Sequence, residues 1–238
     1  MILADAPEDG CRTASYNRLA MLLYYITDRK GFAGSDSEQR AALLKRVAAA
    51  ARTGVDYIQL REKDLPKIEL EDLTRKALRI VRDHSGQTKL LINTHADIAL
   101  AIGADGVHLP SGSSIAFQIR AGWLHSGNRD PLIGVSAHSI EDVRLAESDG
   151  VNFAVFAPIF EKVGITAKGI GLDALREACA LSTLPILALG GVNLANAQAC
   201  LDAGAAGLAG IRLFQQGEVS KTVNALRELD RGNTSPLM

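Results

Sequence analysis

The chain has few cysteines, few aromatic residues and no excess of either charge over its 238 residues. Its three cysteines, Cys11, Cys179 and Cys200, are an odd number, far apart and without a CxxC pair, which argues against a disulfide framework or a zinc site. With 26 Lys and Arg against 27 Asp and Glu, the net charge of -1 gives no general attraction to nucleic acid or an anionic membrane. No apolar run reaches the ~18 residues of a membrane-spanning helix. We therefore predict neither nucleic acid nor a membrane as a partner.

The two ends of the chain differ in pattern from its middle. The first 20 residues carry three acidic side chains and no basic start followed by an apolar run, so no signal peptide is predicted. Together with the cysteine pattern, this favours a cytoplasmic protein. We interpret residues 1–20 as an N-terminal extension, residues 21–230 as one domain, and residues 231–238 as a frayed C-terminal tail.

Eight runs of four to six mainly apolar residues recur along the chain, each followed by a helical pattern. They are bounded by Gly, Pro, Asp or Asn, as strands buried on both faces commonly are. The runs are Leu22–Thr27, Tyr57–Arg61, Leu90–Asn93, Gly106–Leu109, Leu132–Ser136, Phe153–Ala157, Pro185–Leu189 and Ala206–Ile211.

The helical patterns lie between and after these runs. The first follows a Ser35-x-x-Glu38 capping-box pattern, and the same Gly-Ala joint leads into a strand at Gly103 and again at Gly204. The patterns cover Ser37–Arg52, Glu69–Asp83, Asp97–Ile102, Ile115–His125, Ile140–Asp149, Leu172–Leu181, Leu194–Ala203 and Val219–Leu229. Eight alternations in one continuous α/β domain predict a (β/α)₈ TIM barrel. The alternative is an open doubly wound sheet, but no GxGxxG follows the first strand.

Polar residues at the carboxyl ends of the strands are the candidates for the site, because active sites of such barrels lie there. The expected residues are Gln59, Arg61, Lys63, Asn93, Ser111, Ser136, His138 and, in a long loop after the sixth strand, Lys168. Among the five histidines, His138 is the best placed to reach a ligand, and imidazole titrates near neutral pH. The alternative is that His138 only bonds a loop carbonyl. His108, inside a short strand, is better explained by core packing.

Glycines and cations indicate where an anion would bind. Gly190 and Gly191 precede a helix, and Gly210 and Ile211 end the neighbouring strand, so backbone N–H groups can approach a phosphate closely. The alternative is that the glycines only form a tight turn. Arg61 and Lys63 are two residues apart and can face one side, which suits a phosphorylated or carboxylated substrate. The alternative for these cations is an ion pair with Glu62 or Asp64.

Several motifs taken together resemble the thiamine phosphate synthase/TenI superfamily. They occur in the family's order over about residues 22–215 and have high specificity for it. They are YYITD at 24–28, QLREKD at 59–64, LIN at 91–93, DIALAIGADGVHL at 97–109, IGVSAHS at 133–139, APIF at 157–160 and LALGGV at 187–192. The resemblance implies an enzyme of thiamine biosynthesis.

The superfamily holds two activities, and two places in the sequence separate them. The synthase joins a pyrimidine diphosphate to a thiazole phosphate and uses Mg²⁺ held by carboxylates. Here Thr94 stands where its first Asp is expected, and Pro110–Ser113 replaces its acidic stretch. The TenI branch, a thiazole tautomerase that needs no metal, is similar to this chain at Leu109–Ser113, at Gln118–Ala121 and at Phe160-Glu161.

The resemblance to TenI therefore predicts a metal-independent tautomerase that acts on a thiazole carboxylate phosphate, with no cofactor. His138 is expected to move the proton, and Arg61 and Lys63 to hold the carboxylate. The phosphate is expected on Gly190, Gly191, Gly210 and Ile211, and the remaining substrate contacts are expected from Gln59, Asn93, Ser111, Ser136 and Lys168. One alternative is the synthase, with Mg²⁺ as cofactor, and the other is a non-catalytic protein that binds thiazole or thiamine phosphate. A homo-oligomer is compatible with the sequence.

Overall fold

The computed structural model describes residues 20–161 and 169–232, and eight parallel strands close into a barrel within them. The strands are β1 (Leu22–Ile26), β2 (Tyr57–Leu60), β3 (Lys89–Asn93), β4 (Gly106–Leu109), β5 (Leu132–Ala137), β6 (Phe153–Phe156), β7 (Ile186–Ala188) and β8 (Gly207–Gly210). Each strand pairs with its neighbours in chain order, and β8 pairs with β1 to close the sheet. The predicted single-domain (β/α)₈ TIM barrel is confirmed.

Helices connect the strands and form the outer layer. They are α1 (Asp36–Arg52), α2 (Lys67–His84), α3 (Ala96–Ile102), α4 (Ala116–His125), α5 (Ile140–Ser148), α6 (Gly171–Leu181), α7 (Ala197–Asp202), α8 (Arg212–Gln215) and α9 (Val219–Gly232), with a 3₁₀ turn at Arg29–Gly31. The predicted capping box is present: Ser35 Oγ accepts the N–H of Glu38, whose carboxylate accepts the N–H of Ser35. No helix in the described ranges is long and apolar enough to cross a bilayer.

Two helical boundaries differ from the sequence-based prediction by three residues, and one short helix was not predicted. α7 begins at Ala197 instead of Leu194, because the Asn193 and Asn196 side chains bond nearby backbone N–H groups at 2.8 Å and form a turn instead. The short helix α8 had no separate sequence pattern. α9 continues to Gly232, two residues into the predicted tail.

Two apolar layers lie on the two faces of the sheet. One fills the space between the sheet and the helices, and the other fills the barrel from alternate strand positions. The inner layer consists of Tyr24, Ile26, Leu91, Phe153, Val155, Leu187 and Ala209. Gly134 is required beside it, since a Cβ there would lie 2.3 Å from the Phe153 ring.

A loop leads into each of the four even-numbered strands, and three of these loops share one hydrogen-bonding arrangement. In three of them, the residue before the strand accepts the N–H of a residue in the preceding strand through its side chain. These pairs are Asp56 with Leu23 at 2.7 Å, Asp105 with Leu90 at 2.8 Å and Asn152 with Ile133 at 2.8 Å. Ala206 occupies the fourth position and has no side-chain acceptor for the N–H of Ile186. The side-chain bond is therefore present at three of the four joints.

Candidate active site

The carboxyl ends of the strands bring several of the predicted polar side chains together. Gln59 is buried and donates from Nε2 to Asn93 Oδ1 at 3.1 Å. Asn93 lies opposite His108 in the β3–β4 register. Ser136 is bonded to His108 across the next strand pair, at 3.0 Å. These side chains form a continuous polar layer above the apolar interior of the barrel.

His108 is the buried centre of this layer. Burial, together with the positive charge of Arg61, lowers the pKa of His108 to about 3, so the imidazole is neutral. Nδ1 lies 3.1 Å from the Tyr24 hydroxyl and Nε2 lies 3.0 Å from Ser136 Oγ. The prediction that His108 belongs to the core is confirmed by its 4% exposure.

Cationic and acidic side chains alternate from Arg61 to Asp64. In the structure, the two acidic ones share one partner. Arg29 binds Asp64 through two parallel contacts of 2.7 Å and contacts Glu62 at 3.3 Å. Neither Arg61 nor Lys63 has an ion pair with a carboxylate of the described residues. The proposed alternative, an ion pair of these cations with Glu62 or Asp64, is therefore wrong within the part of the chain that the structure describes.

His138 follows β5 directly and is held in one orientation. Its Nδ1 lies 2.8 Å from the carbonyl oxygen of Ala157. A carbonyl only accepts, so Nδ1 carries the proton and donates it to this bond. In the neutral form of the ring, Nε2 then has the lone pair and can accept a proton. The bond to a loop carbonyl is present, as the alternative interpretation expects, and the catalytic role of His138 stays a prediction.

Asp142, which the sequence analysis did not select, fixes the backbone of His138. Its Oδ2 accepts the N–H of His138 at 2.8 Å. Burial opposes ionisation, but hydrogen bonds from His138 N–H and from the Ser111 and Ser139 hydroxyls outweigh it and lower the pKa of Asp142. Ser111 thus lies near the Asp142 carboxylate, and its contact with substrate stays a prediction. The Ser139-x-x-Asp142 capping pattern was the available signal in the sequence.

The glycines predicted to bind phosphate lie in the adjacent loops after β7 and β8. Gly190 and Gly191 have φ values of +96° and +67°, and a Cβ on Gly191 would lie 2.7 Å from Phe160 Cβ. The N–H groups of Gly191 and Ile211 donate to no other described residue. The short helix α8 follows Ile211 directly, and loops after strands 7 and 8 with a short extra helix commonly bind phosphate in this architecture. The phosphate site stays a prediction.

The mouth of the barrel is the end where the carboxyl ends of the strands meet. The hydroxyl donors that Thr94 and Ser111 supply there do not fit Mg²⁺. Thr94 and Ser111 offer hydroxyls where charged oxygens are needed, and Mg²⁺ binds hydroxyls poorly in place of carboxylates. Within residues 20–161 and 169–232, no three His, Cys, Asp or Glu side chains form a group that could hold a metal ion.

Thr94 has φ +61°, an uncommon conformation for a β-branched residue. Lys168, predicted to bind substrate, lies outside the described residues.

Two cavities lie at opposite ends of the barrel. A cavity of about 280 Å³ at the mouth is lined by Lys63, Asn93, Thr94 and residues of the neighbouring loops. A larger one, of about 610 Å³, opens at the amino ends of the strands beside Leu22 and Tyr57. The larger cavity contains none of the predicted site residues. The cavity at the mouth is therefore the one lined by predicted site residues, although it is the smaller of the two.

Known proteins resemble the chain over most of its length. The family model described as "Thiamine monophosphate synthase" matches residues 23–214. The chain is 37% identical to "Putative thiamine-phosphate synthase 2" of Aquifex aeolicus, over 81% of this chain and 96% of that protein. It is 42% identical to "Putative thiamine-phosphate synthase" of Geobacter sulfurreducens, over 79% and 83%. The structure of a thiamine phosphate pyrophosphorylase from Pyrococcus furiosus superposes with a TM-score of 0.74 at 26% identity, covering 90% of this chain and 98% of that one.

Proposed function

We propose, from the premise that the chain belongs to the thiamine monophosphate synthase family and is an enzyme of thiamine biosynthesis, that it tautomerises a thiazole carboxylate phosphate. The observation that carries this proposal is the orientation of His138, whose Nδ1 is bound by Ala157 and whose Nε2 is the free base. A tautomerisation needs one group that takes a proton from one ring atom and returns it to another.

The substrate's phosphate is proposed to lie on the N–H groups of Gly191 and Ile211. Both groups donate to no other described residue, and the two loops are adjacent. Arg61 and Lys63 are proposed to receive the carboxylate, since no described carboxylate pairs with either cation. A cation that is already unpaired binds an incoming carboxylate without first breaking an internal contact. Gln59, Asn93 and Ser136 are proposed to supply the remaining substrate contacts.

The proton transfer proposed for His138 balances within the substrate. Nε2 takes a proton from the thiazole ring, the ring electrons rearrange, and the resulting imidazolium returns the proton to a different ring atom. Product and substrate differ only in the position of that proton. General acid–base catalysis by one side chain typically contributes ~10²–10⁴-fold. Because the product ring is aromatic, the equilibrium lies on its side.

A second candidate is the synthase reaction, and the names of the relatives favour it over the tautomerase. A further relative, from Caldanaerobacter subterraneus, is named "Thiamine-phosphate synthase" and is 31% identical over 90% of this chain. The residues of this chain fit that reaction less well, because Thr94 and Ser111 supply no charge for Mg²⁺. Gly191, Ile211 and His138 are compatible with both reactions, since both act on a thiazole phosphate.

A paired assay of the purified protein distinguishes the candidates. Tautomerisation of the thiazole carboxylate phosphate and release of pyrophosphate from the pyrimidine diphosphate plus thiazole phosphate are measured with Mg²⁺ and with EDTA. The proposal expects tautomerase turnover that EDTA leaves unchanged. Pyrophosphate release that requires Mg²⁺ selects the synthase and overturns the proposal. Tight binding of thiazole phosphate without either turnover selects the non-catalytic alternative.

A further inference from the structure

We propose that Arg29 is a positioning residue that keeps the two cations of the mouth, Arg61 and Lys63, available to the substrate. The inference rests on the proposed function in that these cations receive the substrate's carboxylate. Arg29 lies just after β1 in the 3₁₀ turn and is 4% exposed. Its guanidinium is occupied by two carboxylates of the loop after β2, Glu62 and Asp64.

The contacts of Arg29 fall on alternate residues of that loop. Nη1 and Nη2 bind the two oxygens of Asp64 at 2.7 Å, and Nη1 also contacts Glu62 at 3.3 Å. The backbone N–H of Arg29 donates to Glu62 Oε2 at 3.1 Å. Lys63 and Asp64 lie in a turn that the N–H of Leu65 closes on the Glu62 carbonyl at 3.2 Å. Because Arg29 occupies the carboxylates of Glu62 and Asp64, these carboxylates do not pair with Arg61 or Lys63.

Thr27 links the contacts between Arg29 and the two carboxylates to the end of β2. Its hydroxyl donates to Glu62 Oε1 at 2.6 Å and accepts the backbone N–H of Arg61 at 3.0 Å. Arg61 thus has its main chain fixed by the same cluster that holds its acidic neighbours. Arg29 also reaches α1, where Nε contacts Asp36 at 2.9 Å. The loop after β2 is therefore tied to two other elements, β1 and α1.

Loss of Arg29 leaves Glu62 without its cation and leaves Asp64 with Lys30, whose Nζ lies 3.0 Å from Oδ2. The Glu62 side chain is 2% exposed, and a buried carboxylate without a partner carries a large desolvation cost. The cations nearest in sequence are Arg61 and Lys63, which lie beside Glu62 and Asp64. Without Arg29, we expect these cations to turn toward the carboxylates and compete with substrate. A lysine at position 29 has no planar fork, so it cannot hold both oxygens of Asp64 and also contact Glu62.

Kinetics of Arg29→Lys and Arg29→Met test the proposal in the tautomerase assay. We expect KM to rise by about tenfold in Arg29→Met and by less in Arg29→Lys, with kcat close to wild type, because a binding interaction made equally in ground and transition states is lost. Arg40→Met is the matched control, since Arg40 contacts Asp36 and Glu69 but neither carboxylate of the loop. Equal KM values for Arg40→Met and Arg29→Met, or unchanged KM in Arg29→Met, overturn the proposal.

A crystal structure of Arg29→Lys tests the same inference independently of any turnover, because this conservative variant retains a cation at the site. The expected result is a carboxylate oxygen of Glu62 or Asp64 within 4 Å of Arg61 or Lys63. Unchanged side chains, with both cations still unpaired, overturn the positioning role even if the protein proves to be a tautomerase. If the wild-type protein has no tautomerase activity, the proposed function fails while this structural comparison still decides the role of Arg29.

Discussion

Ser136 Oγ lies 3.0 Å from Nε2 of the buried His108, whose Nδ1 lies 3.1 Å from the Tyr24 hydroxyl. The Tyr24 hydroxyl is fully buried, and we assign it as the donor to Nδ1. Nε2 then carries the imidazole proton and donates it to Ser136. As a result, the hydrogen of the Ser136 hydroxyl is free to point to the mouth. In the proposed function, Ser136 is then a donor toward an acceptor of the substrate.

The neutral state of His108 predicts how stability depends on pH. Its pKa is about 3 in the folded protein, whereas an unfolded histidine titrates near its ordinary value of about 6.5. Below the unfolded pKa the unfolded chain binds a proton that the native state does not, so stability falls as pH decreases toward 3. One such proton contributes a slope of about 1.4 kcal/mol per pH unit. Urea unfolding between pH 7.5 and 4.5 measures it.

His108→Gln isolates this contribution. The variant is less stable at neutral pH because part of the Tyr24–His108–Ser136 chain is lost, but we expect its stability to decline less steeply with acid. His84→Gln is the control, since His84 is exposed at the end of α2. The same slope in wild type and His108→Gln contradicts the assignment of a neutral, buried imidazole.

Ala206→Asn is expected to stabilise the protein. Asp56, Asp105 and Asn152 each accept a strand N–H at the equivalent joint, while the N–H of Ile186 has no such side chain at Ala206. One added hydrogen bond of this kind contributes about 0.5–1.5 kcal/mol. The free energy of unfolding in urea should rise in Ala206→Asn and fall in Asn152→Ala. Equal or lower stability of Ala206→Asn shows that the fourth joint has a different geometry.

The fold could be predicted from the sequence because its signals are local. Each strand is a short apolar run, and its neighbours in the barrel are its neighbours in the chain, so eight runs are enough to define the sheet. The first residue of α7 could not be predicted, because side-chain bonds of Asn193 and Asn196 compete with helix formation there. The helical pattern alone does not contain that competition.

The candidate site could be predicted only in part. Side chains that could bind a ligand are recognised by their position after a strand, but the side chains that orient them are not. His138 is selected because it follows its strand directly, and its role stays a prediction. Arg29 was not identified, since its partners Glu62 and Asp64 lie 33 and 35 residues away in the chain. Such partnerships depend on tertiary packing, which spacing along the chain does not encode.

Thr94→Asn is expected to stabilise the protein by about 1 kcal/mol. Thr94 has φ +61°, a conformation that is strained for a β-branched side chain and that asparagine adopts more readily. The Thr94 hydroxyl donates to the Asn93 carbonyl at 2.7 Å, and loss of this bond offsets part of the gain. Thr94→Val keeps the branching and loses the hydroxyl, so it should be less stable than wild type. Urea unfolding of both variants measures the difference, and a less stable Thr94→Asn contradicts the strain.

His138→Asn should slow tautomerisation by ~10²–10⁴-fold while substrate affinity changes little. The asparagine amide nitrogen can occupy the region of Nδ1 and keep the bond to the Ala157 carbonyl, but the variant has no Nε2 to accept a proton. Single-turnover rates, substrate affinity by calorimetry and thermal unfolding are measured on the same preparation, with His84→Asn as control. If His138 has only a structural role, the variant loses thermal stability and retains its rate per folded molecule. A stable His138→Asn protein with the wild-type rate contradicts the proposed role of His138 as the proton carrier.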